Sequence, residues 1–188
     1  MEGNNMKMNL LVVFSLLIVL SVAIVAPGMA ATTGTSTITA NPGAAIDITV
    51  TGSISNWALA VGPNTDETSV DLTVSSNKIG WTVAAKDAMD DSKISGTAGK
   101  MANWTGSAYA ANGNLAASMH VTGASVSTKT TGAEVTLSGS DQLIETGLDV
   151  VSSQSMDITI GQAVAYTDPT LPGSNVYRMV VTFTGSVA

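Results

Sequence analysis

Apolar and polar residues alternate with a period of two along seven stretches of the chain. In the first stretch, Ile46, Ile48 and Val50 alternate with Asp47 and Thr49. This alternation places the apolar side chains of a strand on one face. The stretches span residues 46–51, 69–75, 81–85, 117–122, 134–138, 156–160 and 177–184. Two antiparallel sheets with one apolar face each must bury those faces against each other, which predicts an all-β, antiparallel sandwich of Ig-like or jelly-roll-like type.

Two regions interrupt this pattern. Residues 87–93 (DAMDDSK) are predicted to form a single helical turn capped by Asp87, because aspartate accepts hydrogen bonds from the first turn of a helix. Residues 95–114 are rich in Gly, Ala and Asn without clear periodicity, which predicts a long loop. Trp81 alternates with Val83 after a turn and is predicted to lie in the core.

An apolar run from Leu10 to Ala26 precedes the first strand. Pro27 and Gly28 end the run, and Gly28 and Ala30 place small residues at the −3 and −1 positions of a cut after Ala30. We therefore expect residues 1–30 to form a signal peptide with an apolar helix, and residues 31–188 to form a single β-sandwich domain in a secreted, extracellular protein. The alternative is a retained membrane anchor, although 17 residues fall short of the ~20 that span a bilayer comfortably.

The net charge of the chain indicates which classes of binding partner to expect. The chain carries a net charge of −7, with seven Lys and Arg against fourteen Asp and Glu. Nucleic acids and anionic membrane surfaces both require clustered basic residues, so we expect no nucleic acid partner and no membrane partner after signal cleavage. The chain has no cysteine, which excludes thiol catalysis and Cys-ligated metals.

The stretch Asn77-Lys-Ile-Gly-Trp-Thr-Val-Ala-Ala, the Gly- and Asn-rich insertion after it and the final Tyr177-x-x-x-Val-Thr-Phe-Thr strand resemble the WxL-type cell-surface domains and, in part, the TasA/camelysin fibre proteins. The resemblance covers residues 68–188. It implies a secreted β-sandwich that sits on, or builds, a cell-surface layer. The family's Trp-x-Leu motif is not at its usual place: Trp57-Ala-Leu59 lies early in the chain, so wall binding is not transferred to named residues.

Trp104 and Tyr109 are the candidate ligand-binding residues, because both lie in the polar 95–114 stretch. Exposed aromatic side chains stack on sugar rings or anchor protein partners. The alternative is that Trp104 folds back as a lid over an open edge of the sandwich. Asn103-Trp104-Thr105 is also an Asn-x-Thr acceptor for glycosylation.

Asp87, Asp90 and Asp91 form the densest acidic cluster and are the candidate metal ligands. Calcium takes six to eight oxygen ligands, of which three carboxylates can supply a part. The cluster lacks the Gly-spaced order of a dedicated calcium loop, and Lys86 and Lys93 flank it. We therefore expect a solvated turn and no cofactor, with Ca²⁺ as the alternative.

Three functions are compatible with these features. The first is a structural or adhesive cell-surface protein that binds a surface polymer or protein, or self-assembles when residues 32–40 add as a strand to a neighbouring copy. The alternative for residues 32–40, and the one that local strand pairing favours, is an ordinary first strand in the sheet of its own domain. The second is a carbohydrate- or wall-binding module that uses Trp104 and Tyr109. The third is a secreted hydrolase. Enzymatic activity is not expected, because the one histidine, His120, is predicted on the polar face of a strand without a supporting catalytic motif.

Overall fold

The computed structural model describes residues 39–126 and 128–188, of which Pro42–Ala188 form one compact unit. Close to half of the described residues lie in strands and none lies in a helix, so the predicted all-β class is confirmed. Within this part of the chain there is accordingly no helix with the length and apolar character of a membrane span. The predicted signal peptide and its cleavage site lie outside the described residues.

The described residues form fourteen strands. They are β1 Ile46–Gly52, β2 Gly62–Asp66, β3 Val70–Ser76, β4 Thr82–Asp87, β5 Ala102–Trp104, β6 Tyr109–Asn114, β7 His120–Thr122, β8 Thr130–Gly132, β9 Glu134–Thr136, β10 Gln142–Gly147, β11 Val151–Asp157, β12 Thr159–Val164, β13 Val176–Arg178 and β14 Val181–Ser186.

The strands pair into four antiparallel sheets, which together give a sandwich-like fold. Their orders are β1-β3-β11, β14-β4-β10-β8, β2-β12-β7-β9 and β13-β5-β6. Most neighbours are distant in sequence, and the first strand pairs with the third over its full length, from Ile46 opposite Ser76 to Gly52 opposite Val70. The order of the strands therefore depends on long-range contacts.

Two chain segments pass from one sheet into another almost without a break. β11 and β12 are separated by Ile158 alone, and β8 and β9 are separated by Ala133 alone. Ile158 is completely buried at its crossing. Because the backbone stays extended while it changes partners, these crossings hold the sheets around a common core.

One hydrophobic core joins residues from all parts of the described chain. Trp81 is completely buried, as its alternation with Val83 predicts, and its Nε1 donates to the Asp149 carbonyl over 2.9 Å. The other buried apolar residues are Leu72, Val74, Val83, Ala85, Met101, Leu115, Met119, Val121, Leu137, Ile144, Val151, Met156, Ile158 and Ile160. They include most of the apolar positions of the alternating stretches.

Two local predictions are wrong. Residues 87–93 form an irregular turn, because Met89, Asp91 and Ser92 take positive φ angles of 51°, 48° and 59°, which no α-helical turn contains. Residues 95–114 contain all of β5 and β6, not a continuous loop. β5 and β6 pair through backbone hydrogen bonds and carry few large apolar side chains, so period-two alternation does not detect them.

Candidate functional site

The structure brings both predicted aromatic residues into contact. Trp104 ends β5 and Tyr109 begins β6, and the two lie opposite each other in the antiparallel pairing. Their ring centroids are 5.1 Å apart with an interplanar angle of 66°, which is an edge-to-face arrangement. Both side chains are half-buried. The pair is therefore neither fully exposed nor folded away as a lid.

Arg178 completes this pair from the neighbouring strand. β13 pairs with β5, which carries the Arg178 side chain over the Trp104 ring at 4.3 Å from the centroid. The guanidinium carbon lies 5.6 Å from the centroid of Tyr109. A guanidinium in this position is attracted by the negative face of the indole. One face of Trp104 is thus covered by a residue of the same chain.

Two of the predicted acids meet the same arginine. Arg178 Nη2 lies 2.8 Å from Asp90 Oδ2, and Nη1 lies 3.0 Å from Asp91 Oδ2. The Tyr109 hydroxyl donates to Asp90 Oδ1 over 3.0 Å and accepts from Arg178 Nη1 over 3.2 Å. We call Asp90, Asp91, Trp104, Tyr109 and Arg178 the arginine cluster.

The protonation states of the cluster follow from these contacts. Burial by itself raises the pKa of Asp90, but the hydrogen bond from Tyr109 and the charge of Arg178 outweigh it, so the pKa lies below its ordinary value. Burial also raises the pKa of Tyr109, and the adjacent Asp90 carboxylate adds to the rise. At neutral pH the cluster therefore holds ionised Asp90, neutral Tyr109 and cationic Arg178.

The third predicted acid is separate from the arginine cluster. Asp87 lies at the end of β4 with its side chain completely buried, and its Oδ2 is 2.5 Å from Nζ of the equally buried Lys93. Asp87 Oδ1 accepts the Met89 amide over 3.0 Å, and Oδ2 accepts the Gly99 amide over 2.8 Å. Gly99 has a φ of 79°, and a Cβ there would lie 1.9 Å from the Leu137 carbonyl oxygen, so only glycine fits.

These contacts limit the chemistry of the predicted site. Asp87, Asp90 and Asp91 each face a cationic side chain of the same chain. Within residues 39–126 and 128–188, no three His, Asp or Glu side chains converge as metal ligands. The arrangement can present a half-buried aromatic and charged surface, while calcium binding would have to displace Arg178 or Lys93.

Asn103, the predicted glycosylation acceptor, is 5% exposed. Its Nδ2 donates to the Asn112 carbonyl over 3.4 Å, and its Oδ1 accepts from Asn175 Nδ2 over 2.9 Å. The side chain is thus engaged on both of its polar atoms. Burial disfavours glycosylation of the folded domain, so modification of Asn103 remains a prediction for the chain before it folds.

The burial of one carboxyl group, that of Glu145, was not predicted from the sequence. Glu145 in β10 is completely buried, and neither of its oxygens accepts a hydrogen bond from another described residue. A register shift between Leu143 and Glu145 places both Ile144 and Glu145 inside, where regular alternation would expose one of them. Burial raises the pKa of Glu145 to about 7, and the nearby Thr130 hydroxyl opposes this rise only in part.

His120 lies on β7 beside a different carboxylate. Its Nδ1 is 3.2 Å from Glu134 Oε1, with the two side chains 43% and 65% exposed. Both residues face solvent across paired strands, where β7 meets β9. His120 therefore lies on the polar face of its strand, as the sequence predicts.

No protein-family model matches the chain, and no curated protein matches it. Its function is therefore inferred from the residues and contacts described above.

Proposed function

We propose that this protein is a secreted cell-surface β-sandwich of Ig-like or jelly-roll-like type, with a structural or adhesive role and no enzymatic activity. The observation that carries the proposal is the outer edge of β1, which no other described strand pairs with. The resemblance to WxL-type domains and TasA/camelysin fibre proteins points to the same extracellular role. In this proposal the protein is a subunit of an extracellular layer or fibre.

Among the described strands, β1 lies at the end of its sheet, and it pairs with β3 through seven consecutive residues without a bulge. From Thr49 to Gly52 every residue is exposed, and Val50 has 42% of its surface accessible. Natural sheet edges are protected by Lys, Pro, bulges or covering elements, because a free edge offers unpaired amides and carbonyls to another chain. β1 has only Asp47 as a charged residue, so its edge is weakly protected.

The chain enters β1 through a fixed turn. Asn77 Nδ2 donates to the Gly43 carbonyl over 2.8 Å, and Asn77 Oδ1 accepts the Ala45 amide over 2.8 Å. Residues 32–40 (TTGTSTITA) precede this turn and are uncharged, small and rich in β-branched residues. We propose that this segment adds as a strand to the β1 edge of a neighbouring copy. A head-to-tail contact of this kind does not close on itself and therefore builds a fibre.

The test compares assembly of the mature protein with that of a form lacking residues 31–40, by sedimentation and electron microscopy over a range of concentrations. The mature protein is expected to assemble and the shortened form to remain monomeric. Val50→Lys should also block assembly, since a lysine on the edge disfavours pairing. Leu143→Lys is the matched control, because Leu143 is 49% exposed but lies on β10 in the interior of its sheet. Equal assembly of all four proteins would refute strand addition, and a mature protein that never assembles would refute the structural-subunit role.

A second candidate is binding of a surface polysaccharide at the arginine cluster. The half-buried aromatic pair with Arg178 and two carboxylates supports it, because sugar sites combine aromatic faces with charged hydrogen-bonding groups. Against it stands the guanidinium that already covers one face of Trp104. Titration of cell-wall polysaccharide with tryptophan fluorescence as the signal tests this candidate, and the response should be lost in Trp104→Ala but kept in Trp57→Ala.

A further inference from the structure

Lys93 and Asp87 form the most deeply buried charged pair in the described residues. Both side chains have an exposure of 0%, and Nζ lies 2.5 Å from Oδ2. Removing two opposite charges from water costs free energy for each ion, and hydrogen bonding of both groups is needed to offset this cost. The hydrogen bonding of the two partners is unequal.

The carboxylate is well satisfied and the ammonium is not. Asp87 accepts the amides of Met89 and Gly99 in addition to Lys93. An ammonium has three hydrogens to donate, yet among the described residues Lys93 Nζ has a single hydrogen-bond acceptor, Asp87 Oδ2. The ring of Tyr109 lies 5.9 Å away and provides only a weak contact for the charge. A nitrogen that carries fewer hydrogens and no charge would fit this environment better.

The backbone between the two residues is held in an unfavourable conformation. Met89, Asp91 and Ser92 all have positive φ angles, which cost non-glycine residues free energy and persist only when the surroundings fix them. The amide of Lys93 also donates to the Asp90 carbonyl over 2.9 Å, which closes the turn. A covalent bond between the two side chains would fix this turn permanently.

We propose that Lys93 and Asp87 join in an intramolecular isopeptide bond, between Nζ of the lysine and Cγ of the aspartate. The Nζ–Oδ2 separation of 2.5 Å holds the nitrogen against the carboxyl group, and well-oriented intramolecular reactions start from such close contacts. Such proximity replaces a bimolecular encounter with an intramolecular step.

The reaction balances without an external reagent. A proton first moves from the ammonium to the carboxylate, which gives a neutral amine and a carboxylic acid in a dry environment. The amine attacks Cγ, and the Met89 amide, which donates to Oδ1, stabilises the negative charge that this oxygen gains in the tetrahedral intermediate. Oδ2, which accepts the Gly99 amide, carries the transferred proton and is the oxygen that leaves. One carboxyl oxygen then leaves as water with two of the three ammonium hydrogens, and the third hydrogen stays on the amide nitrogen.

Mass spectrometry of the denatured protein tests the bond. The intact chain is expected to be lighter than the mass calculated from its own termini by one water molecule. Trypsin cleaves after Lys86 and Lys100 but not after an acylated Lys93, so the expected product is one peptide of residues 87–100, lighter by one water. A full-mass chain that gives separate peptides 87–93 and 94–100 would overturn the proposal.

Variants assign the water loss to this pair. Lys93→Arg and Asp87→Ala should each restore the full calculated mass, whereas Lys86→Arg, whose native Nζ contacts Asp141 at the surface over 3.1 Å, should keep the loss. The mass is measured on denatured chains, and circular dichroism first confirms that each variant folds, because the bond can form only in the folded protein. A water loss that persists in Lys93→Arg would place the dehydration elsewhere, for example at an aspartate backbone, and would refute the isopeptide bond.

Discussion

At the scale of single residues, Arg178 contacts four other side chains at the same time. It covers Trp104, binds the carboxylates of Asp90 and Asp91, and donates to the Tyr109 hydroxyl. Only the guanidinium group has the planar set of donors that can stack on a ring and bind two carboxylates at the same time. The cluster depends on the geometry of this side chain as well as on its charge.

Arg178→Gln is expected to lower the free energy of unfolding by about 1–2 kcal/mol, because it removes a cation–π contact and charge-assisted hydrogen bonds. Chemical denaturation followed by tryptophan fluorescence measures this change. Lys86→Gln is the control, since Lys86 makes an exposed ion pair that is worth about 0–1 kcal/mol. A loss no larger than that of the control would show that the arginine cluster does not stabilise the fold.

Glu145 makes stability depend on pH. Its pKa of about 7 lies above the ordinary value of 4.5, so the folded state binds more protons than the unfolded state between these values. The contribution of Glu145 to stability is therefore fully present below about pH 4.5 and is lost as the pH rises through about 7. The neighbouring positions Val83, Gly123, Thr130 and Gly132 carry no charge that would compensate the ionised carboxylate.

Glu145→Gln should remove this part of the pH dependence. Between about pH 5 and about pH 9, wild-type protein is expected to lose roughly 3 kcal/mol more than the variant, from the difference between the two pKa values. Urea denaturation across this range measures the difference. Glu67→Gln, at an exposed glutamate, is the control and should follow wild type. Parallel curves for wild type and Glu145→Gln would show that Glu145 is not buried in the uncharged form.

At the scale of strands, Trp81 joins the start of β4 to the rest of the core. The amide of Gly147 in β10 donates to the Trp81 carbonyl over 2.7 Å, and the Gly80 amide donates to the Gly147 carbonyl over 2.9 Å. A Cβ at Gly147 would lie 2.0 Å from the indole, so the ring packs directly on this backbone. The tryptophan and the glycine are therefore complementary in shape.

Trp81→Ala is expected to cost about 3–5 kcal/mol, as other truncations of large buried aromatic residues do. The loss approaches the total stability of a small domain, so a large fall in melting temperature should follow. Trp57→Ala, at a half-buried tryptophan packed at the border of the core, should cost less. Equal melting temperatures for wild type and Trp81→Ala would contradict the buried position.

At the scale of the whole molecule, the proposed release of the exported protein from the membrane requires removal of the N-terminal apolar run. We expect cleavage after Ala30, because Gly28 and Ala30 supply the small residues that signal peptidases need. N-terminal sequencing of the exported protein should read Ala31-Thr-Thr-Gly. Recovery of the protein from membranes with residues 10–26 still attached would instead identify the run as an anchor.

The sequence by itself determined the all-β class and much of the core. Period-two alternation depends only on the geometry of an extended chain with one buried face, so it predicted β1, β3 and β4 and the burial of Trp81. The same rule failed for β2, β5 and β8, because short polar strands pair through backbone hydrogen bonds that their side chains do not reveal.

Only the tertiary structure decided how the candidate residues are combined. The sequence identified Trp104, Tyr109 and the three aspartates as separate candidate residues. Arg178 lies 69 residues from Tyr109 in the chain and contacts it only because β13 pairs with β5. Likewise, the bulge that buries Glu145 is a property of the pairing between β10 and β4. Contacts between distant strands depend on the order of strands in the sheets, and alternation along one strand contains no information about which strand lies beside it.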